Sequence, residues 1–124
     1  MSGKRVLSAG QCMADHGSLT RLLQGQFAAQ VVPCDSIRET LERLRAEAFD
    51  LVLVNRVFDV TGEGGQDLIR TIKGDPHLKD VRVMLVSNFP EAQEEAVASG
   101  AIPGFGKAAL REPETVETLR HYLA

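Results

Sequence analysis

The chain has 124 residues, enough for one domain that buries roughly two thirds of the surface its unfolded form would expose. Lys and Arg number 14 against 17 Asp and Glu, a net charge of −3. The basic residues are scattered rather than gathered into a stripe, which argues against a nucleic-acid footprint and favours protein partners.

The opening segment, from Met1 to Cys12, superficially resembles a basic leader ending in a lipid-modified cysteine. Ser8 and Gly10 break its apolar run far short of the roughly 7–15 residues such a leader needs. No segment approaches the roughly 20 apolar residues of a membrane span. Cys12 and Cys34 show neither CxxC nor Cys/His metal spacing, so a reducing, cytoplasmic location is expected.

Short apolar runs then alternate with helical periodicity five times, the pattern of βα units around a parallel sheet. The runs are Arg5 to Ala9, Gln30 to Cys34, Leu51 to Asn55, Arg82 to Ser87 and Ala101 to Gly106. The third and fourth are richest in Val and Leu, as strands covered on both faces should be. Leu19, Leu22, Leu23 and Phe27 line one face of a first helix, and Ile37, Leu41 and Leu44 that of a second. Ser36 and Glu39 form a capping-box pattern that starts the second helix. A third helix begins after Gly65, carries Leu68, Ile69 and Ile72, and ends near Gly74-Asp75-Pro76.

Pro90 suits the first turn of a fourth helix and Gly100 its end; Pro113 opens a fifth bearing Val116, Leu119 and Leu123. The fourth offers only a thin apolar face of small side chains and should be the least anchored. No repeat, linker or low-complexity tract interrupts the order, so 1–124 reads as a single domain.

With Phe49-Asp50-Leu51-Val52-Leu53-Val54-Asn55 in its middle, Val83-Met84-Leu85-Val86-Ser87 after it, and Gly100-Ala101 preceding a late Lys107, the chain resembles the response-regulator receiver domains of bacterial two-component signalling. The resemblance spans essentially the whole chain and implies a doubly wound, three-layer (βα)5 sandwich with strand order 2-1-3-4-5. In that family an acidic pair after the first strand binds Mg²⁺, and an aspartate ending the third strand accepts phosphate from a histidine kinase. The matching positions here are Gly10, Gln11 and Asn55. An amide cannot form an acyl phosphate, and a glycine with two amides lacks the hard anionic oxygens that a strongly hydrated cation requires.

Ser87 and Lys107 match the family's hydroxyl and lysine, now without a phosphoryl group to contact. The aromatic switch position falls on Gly104, next to Phe105, and Ala108 replaces the proline usual after the lysine. The segment Arg56 to Gly65 is about two residues longer than the family pattern.

The resemblance therefore implies a degenerate pocket of Gly10, Gln11, Asn55, Ser87 and Lys107 in a pseudo-receiver: no enzyme, no cofactor and no metal, acting as a protein-interaction module. Its partner is expected to be a signalling protein, a histidine kinase or an output protein, with no nucleic acid and no membrane involved, and the chain itself a monomer or weak homodimer. Lys107 is expected to pair with Asp59 or with the Asn55 side-chain oxygen, because a buried unpaired ammonium is costly. Recognition is expected through the rebuilt loop around Phe58, or through the fourth helix, fifth strand and fifth helix, with Tyr122 and Phe105 as contacts.

One alternative moves the input of a switch to Asp59 and Glu63, acting with Ser87 and Lys107, as a relocated phosphate, metal or small-ligand site, although acids in a glycine-rich loop are ordinarily just solvated. Another is a small flavodoxin-like enzyme or redox protein, against which stands the lack of a phosphate loop after the first strand and of a nucleophile–base pair. Cys12 and Cys34, at the ends of adjacent strands, could face each other, but nothing basic adjoins either thiol. His16, His77 and His121 read as solvent-facing.

Overall fold

The computed structural model describes residues 3–124; Met1 and Ser2, where the leader-like segment starts, lie outside the described residues. Five strands form one parallel sheet in the order β2-β1-β3-β4-β5: β1 Arg5–Ala9, β2 Gln30–Cys34, β3 Leu51–Asn55, β4 Val83–Val86 and β5 Ile102–Phe105. The helices between and after them are α1 Met13–Phe27, α2 Ile37–Ala46, α3 Gly65–Gly74, α4 Pro90–Ala98 and α5 Pro113–Leu123, with a single 3-10 turn at Lys107–Ala109. This is the α/β architecture and strand order that the resemblance implies.

Alternation along the inner strands divides the core in two. Leu7, Val52, Val54 and Leu85 face one way, against Leu44 of α2, Leu68, Ile69 and Ile72 of α3, and Ala96 of α4. Val6, Leu51, Leu53 and Met84 face the other, against Leu19 and Leu23 of α1 and Leu119 and Leu123 of α5. All five residues of β3 are buried, because it is the central strand and has helices on both faces.

Ser36 Oγ accepts the Glu39 N–H at 3.0 Å, as the capping pattern predicts. The reciprocal arm differs: the Glu39 carboxylate reaches past the cap to the N–H of Asp35 at 2.7 Å. Helix α1 begins nearly two turns before its first buried leucine, at a boundary the apolar spacing does not mark. Cys12 provides the cap, its Sγ accepting the Asp15 N–H at 3.4 Å. Only Ala96 of α4 is buried, which bears out the thin face read from its sequence.

Substituting Leu53, fully buried in the central strand, with Ala is expected to cost about 2–5 kcal/mol. Urea denaturation of the L53A variant measures it.

Candidate functional site

The carboxyl edge of the sheet is where a doubly wound fold gathers its loops and its chemistry. Asn55 ends β3 there with 8% of its surface exposed. Its side-chain NH2 donates to the Gly10 carbonyl at 3.0 Å and to the Val57 carbonyl at 2.8 Å. Both N–H bonds of the amide are used, and they tie the β1 loop to the β3 loop. The Asp59 N–H adds a third tie, donating to the same Gly10 carbonyl at 3.0 Å.

The rebuilt loop is ordered by its own backbone. Phe58 N–H donates to the Glu63 carbonyl, Gly62 N–H to the Phe58 carbonyl and Gly65 N–H to the Arg56 carbonyl, with an antiparallel bridge between Val57 and Gly64. The resulting small hairpin turns Phe58 inward, where 1% of its surface remains exposed. Its ring lies over Gly10, whose φ of +77° belongs to glycine. A Cβ on residue 10 would stand 2.5 Å from the ring. The glycine at the first acidic position and the phenylalanine in the loop are thus one feature.

These residues do not fit a Mg²⁺ ion. No carboxylate replaces the missing acids at these positions, the two carbonyls that converge on Asn55 already accept its N–H bonds, and the Phe58 ring covers Gly10. Phe58 is accordingly a core residue and not the exposed recognition residue expected of it.

Lys107 is not paired with Asp59 or Asn55. Its ammonium meets the carboxylate of Asp15, in the first turn of α1, at 2.7 Å. That bond holds the Asp15 carboxyl below its ordinary pKa, against the opposing effect of burial. The apolar spacing of α1 gave no reason to single out Asp15; an acid in a helix's first turn was the one available signal.

Ser87 is buried and its Oγ accepts the Phe89 N–H at 3.2 Å, a turn-forming role. Asn55, Ser87 and Lys107 do line one shallow polar depression together with Arg56 and Phe89. Gly10 lies beneath Phe58, and Gln11 opens instead onto a cavity between α1 and the loop after β5.

Asp59 and Glu63 do not converge. Glu63 accepts the Ile37 N–H at 3.0 Å and the Thr61 hydroxyl at 2.8 Å, fastening the loop to the start of α2, whereas Asp59 is exposed. Among the described residues no three His, Cys, Asp or Glu side chains stand close enough to hold a metal ion.

Phe105 is buried against the α1 and α5 side, so it too is a core residue and not a contact surface. Tyr122 is half-buried, packed on the same core with the Arg82 guanidinium 5.3 Å from its ring centre. His77 and His121 are exposed, but His16 is half-buried and its Nε2 lies 3.4 Å from the Thr20 hydroxyl. Cys34 is buried, which pushes its thiol up to about 11, the mark of an inert cysteine.

Beside Gly104 of β5, the position that the resemblance matches to the aromatic switch, stands an amide from α4. A Cβ on Gly104 would collide with the Leu85 carbonyl, and the side chain of Gln93 from α4 fills the notch beside it. Its NH2 lies within hydrogen-bonding distance of the Leu85, Ser87 and Phe105 carbonyls, at 2.9, 3.1 and 3.3 Å, while its oxygen accepts the Gly104 N–H. The sequence reading did not single out Gln93; a glutamine on a thin helix gives no periodic signal.

No protein-family model matches the chain. Among curated proteins, the bifunctional protein HldE of Desulfatibacillum aliphaticivorans is 28% identical over 121 residues, covering 95% of this chain and 23% of that protein. The chain thus spans about a quarter of the curated relative it matches, and the likeness assigns it no activity. Solved structures agree on the fold. The signal receiver domain of a DNA-binding response regulator from Colwellia psychrerythraea 34H superposes with a TM-score of 0.80 at 21% identity, over 95% of this chain and 96% of that one. A response regulator from Thermotoga maritima gives 0.78 at 21% identity, over 98% of each chain. The chemotaxis protein CheY4 of Vibrio cholerae gives 0.76 at 20% identity, over 98% of this chain and all of that one. At these identities the likeness establishes a receiver-type fold.

Gly10→Ala is expected to destabilise the fold by about 2 kcal/mol or more, from overpacking and a strained φ. Combined with Phe58→Ala, its cost should shrink, and a double-mutant cycle by urea denaturation reads that coupling.

The Asp15–Lys107 pair generates a pH dependence. A carboxyl whose folded pKa is depressed contributes stability above its unfolded value, near 4, and that contribution is lost as pH falls through the lower folded value. Each partner is about one-third exposed, so the energy is small, but the turn at Lys107–Ala109 should shift. Amide resonances of Lys107 and Ala108 are expected to titrate with a midpoint below about 4, and Asp15→Asn should abolish that titration.

Proposed function

We propose that the protein is a pseudo-receiver: a protein-interaction module of bacterial two-component-type signalling that works without phosphorylation and performs no catalysis of its own. The observation that carries this reading is the Asn55 side chain, whose two N–H bonds end on the Gly10 and Val57 carbonyls. A phosphoacceptor must present a free nucleophilic oxygen to solvent and to a cation. Here the equivalent group is a buried donor that cross-links two loops.

The recognition surface fits the same reading. Val57, Val60 and Phe89 are large apolar side chains left exposed on the carboxyl-edge loops, with the Arg56 guanidinium 4.7 Å from the centre of the Phe89 ring. An arginine stacked on an exposed aromatic is the kind of anchor that protein interfaces favour. On α4, exposed Val97 borders a shallow apolar groove with Pro103 and Gly104. The partner is a signalling protein, a histidine kinase or an output protein, docking on these loops or on α4 and β5.

Acetyl phosphate with Mg²⁺, and beryllofluoride with Mg²⁺, are expected to leave the amide spectrum unchanged. A phosphoryl mass increment on an aspartate would refute the reading. Asn55→Asp supplies a sharper arm: it restores a carboxylate but turns an acceptor toward two carbonyls that now receive N–H bonds. The variant is expected to be less stable by about 1–3 kcal/mol at neutral pH. Because the new carboxyl would have a raised folded pKa, the deficit should narrow as pH falls and the group becomes protonated. A variant that was fully stable at pH 7 and bound Mg²⁺ would show that one substitution reopens the pocket, contrary to this proposal.

A further inference from the structure

Gln11 is more than nine-tenths buried, and both atoms of its amide, Oε1 and Nε2, lack a hydrogen-bond partner. Leaving one buried amide donor or acceptor unsatisfied costs about 1–3 kcal/mol, so a native chain keeps such a group for a reason. The side chain lines a cavity of about 240 Å³ between the first turns of α1 and the loop that follows β5. This cavity opens on the α1 and α5 face of the sheet, away from the Phe58 loop, and is independent of whether the domain accepts phosphate.

The walls combine apolar and charged groups. Leu19 and Phe105 supply apolar lining, the Asp15–Lys107 pair is mutually neutralised at 2.7 Å, and Arg111 also lines the space. Among the described residues Arg111 is exposed and forms no ion pair. A free guanidinium is matched best by a carboxylate, which it can bind through two parallel N–H bonds. The orphaned glutamine calls for something else: adjacent N–H and C=O groups on the ligand, one for each atom of its amide.

We propose that this cavity is a binding site for a small planar carboxylate that carries an amide-like edge, with the edge on Gln11 and the carboxylate on Arg111. The ligand is a single ring: the volume falls below the roughly 300–1,000 Å³ of drug-sized sites, and a flat ring suits the Leu19 and Phe105 walls. Neither atom of the Gln11 amide is accessible to a water-sized molecule, so the ligand edge reaches them only when side chains lining the cavity, the Asp15–Lys107 pair among them, shift. Ligand binding would in this way move the Lys107–Ala109 turn and give the domain a chemical input.

Orotate, a pyrimidinedione carboxylate, is the probe, with uracil (edge without carboxylate) and benzoate (carboxylate without edge) as controls. Two-dimensional amide spectra of the whole chain are recorded during titration to about 10 mM, a weak-binding limit. Saturable shifts at the Gln11 side chain and at Lys107 to Arg111, tighter for orotate than for either control, are expected. Arg111→Ala, at an exposed position, should weaken orotate roughly tenfold toward uracil. Gln11→Met should abolish binding while raising Tm, since it removes the unsatisfied amide and keeps the shape. No saturation with orotate, equal affinity for the three probes, or binding unchanged in Gln11→Met and Arg111→Ala would overturn the proposal.

Discussion

A primary amide with two N–H bonds cross-links the carboxyl edge of this sheet. Asn55 reaches from the end of the central strand to a carbonyl on the β1 loop and to one on its own loop, a geometry that an aspartate, with no proton to give at neutral pH, could not reproduce. Everything around it follows from that cross-link. With the β1 and β3 loops held together, the small hairpin of Phe58 to Glu63 folds back and its phenylalanine fills the space above Gly10. In receiver domains that accept phosphate, the same edge must stay open and charged; here it is closed by hydrogen bonds and by a ring. Lys107 pairs with Asp15 and ties α1 to the loop after β5.

The fold class was legible in the sequence because five runs of the right length alternate with five helical faces and the two most apolar runs lie side by side at the centre, while the strand order came from the family resemblance. Glycine and proline marked the helix ends where backbone geometry demands them. The site was legible only by subtraction: missing carboxylates are visible in a sequence, and what replaces them is not. Phe58 stood among the recognition candidates because a loop rich in glycine gives no periodicity from which to infer an inward side chain. Phe105 was misjudged for a related reason: a four-residue strand next to two glycines is too short for its alternation to be read. Asp15, Gln93 and the orphaned Gln11 act through partners distant along the chain, and no local pattern records such pairings.

The two glutamines illustrate opposite uses of the same side chain. The Gln93 amide sits among the Leu85, Ser87 and Phe105 carbonyls and accepts the Gly104 N–H, so it acts as a fixed strut between α4 and the edge of the sheet. Helix α4, which buries only Ala96 on the sheet, gains through that strut a connection its apolar face does not provide. Gln11 has an equal hydrogen-bonding capacity and uses none of it. One amide is structural because it is satisfied, and the other is a candidate for recognition because it is not.

The dependence between residue 10 and residue 58 also bears on how such a domain could change over generations. An acid at position 10 collides with the phenylalanine, loss of the phenylalanine leaves a hole above the glycine, and an aspartate at position 55 breaks the link that orients the loop. Each of these single changes passes through a less stable protein. The closed edge therefore behaves as a ratchet: once the ring had settled over the glycine, selection acting on stability alone would keep the edge closed.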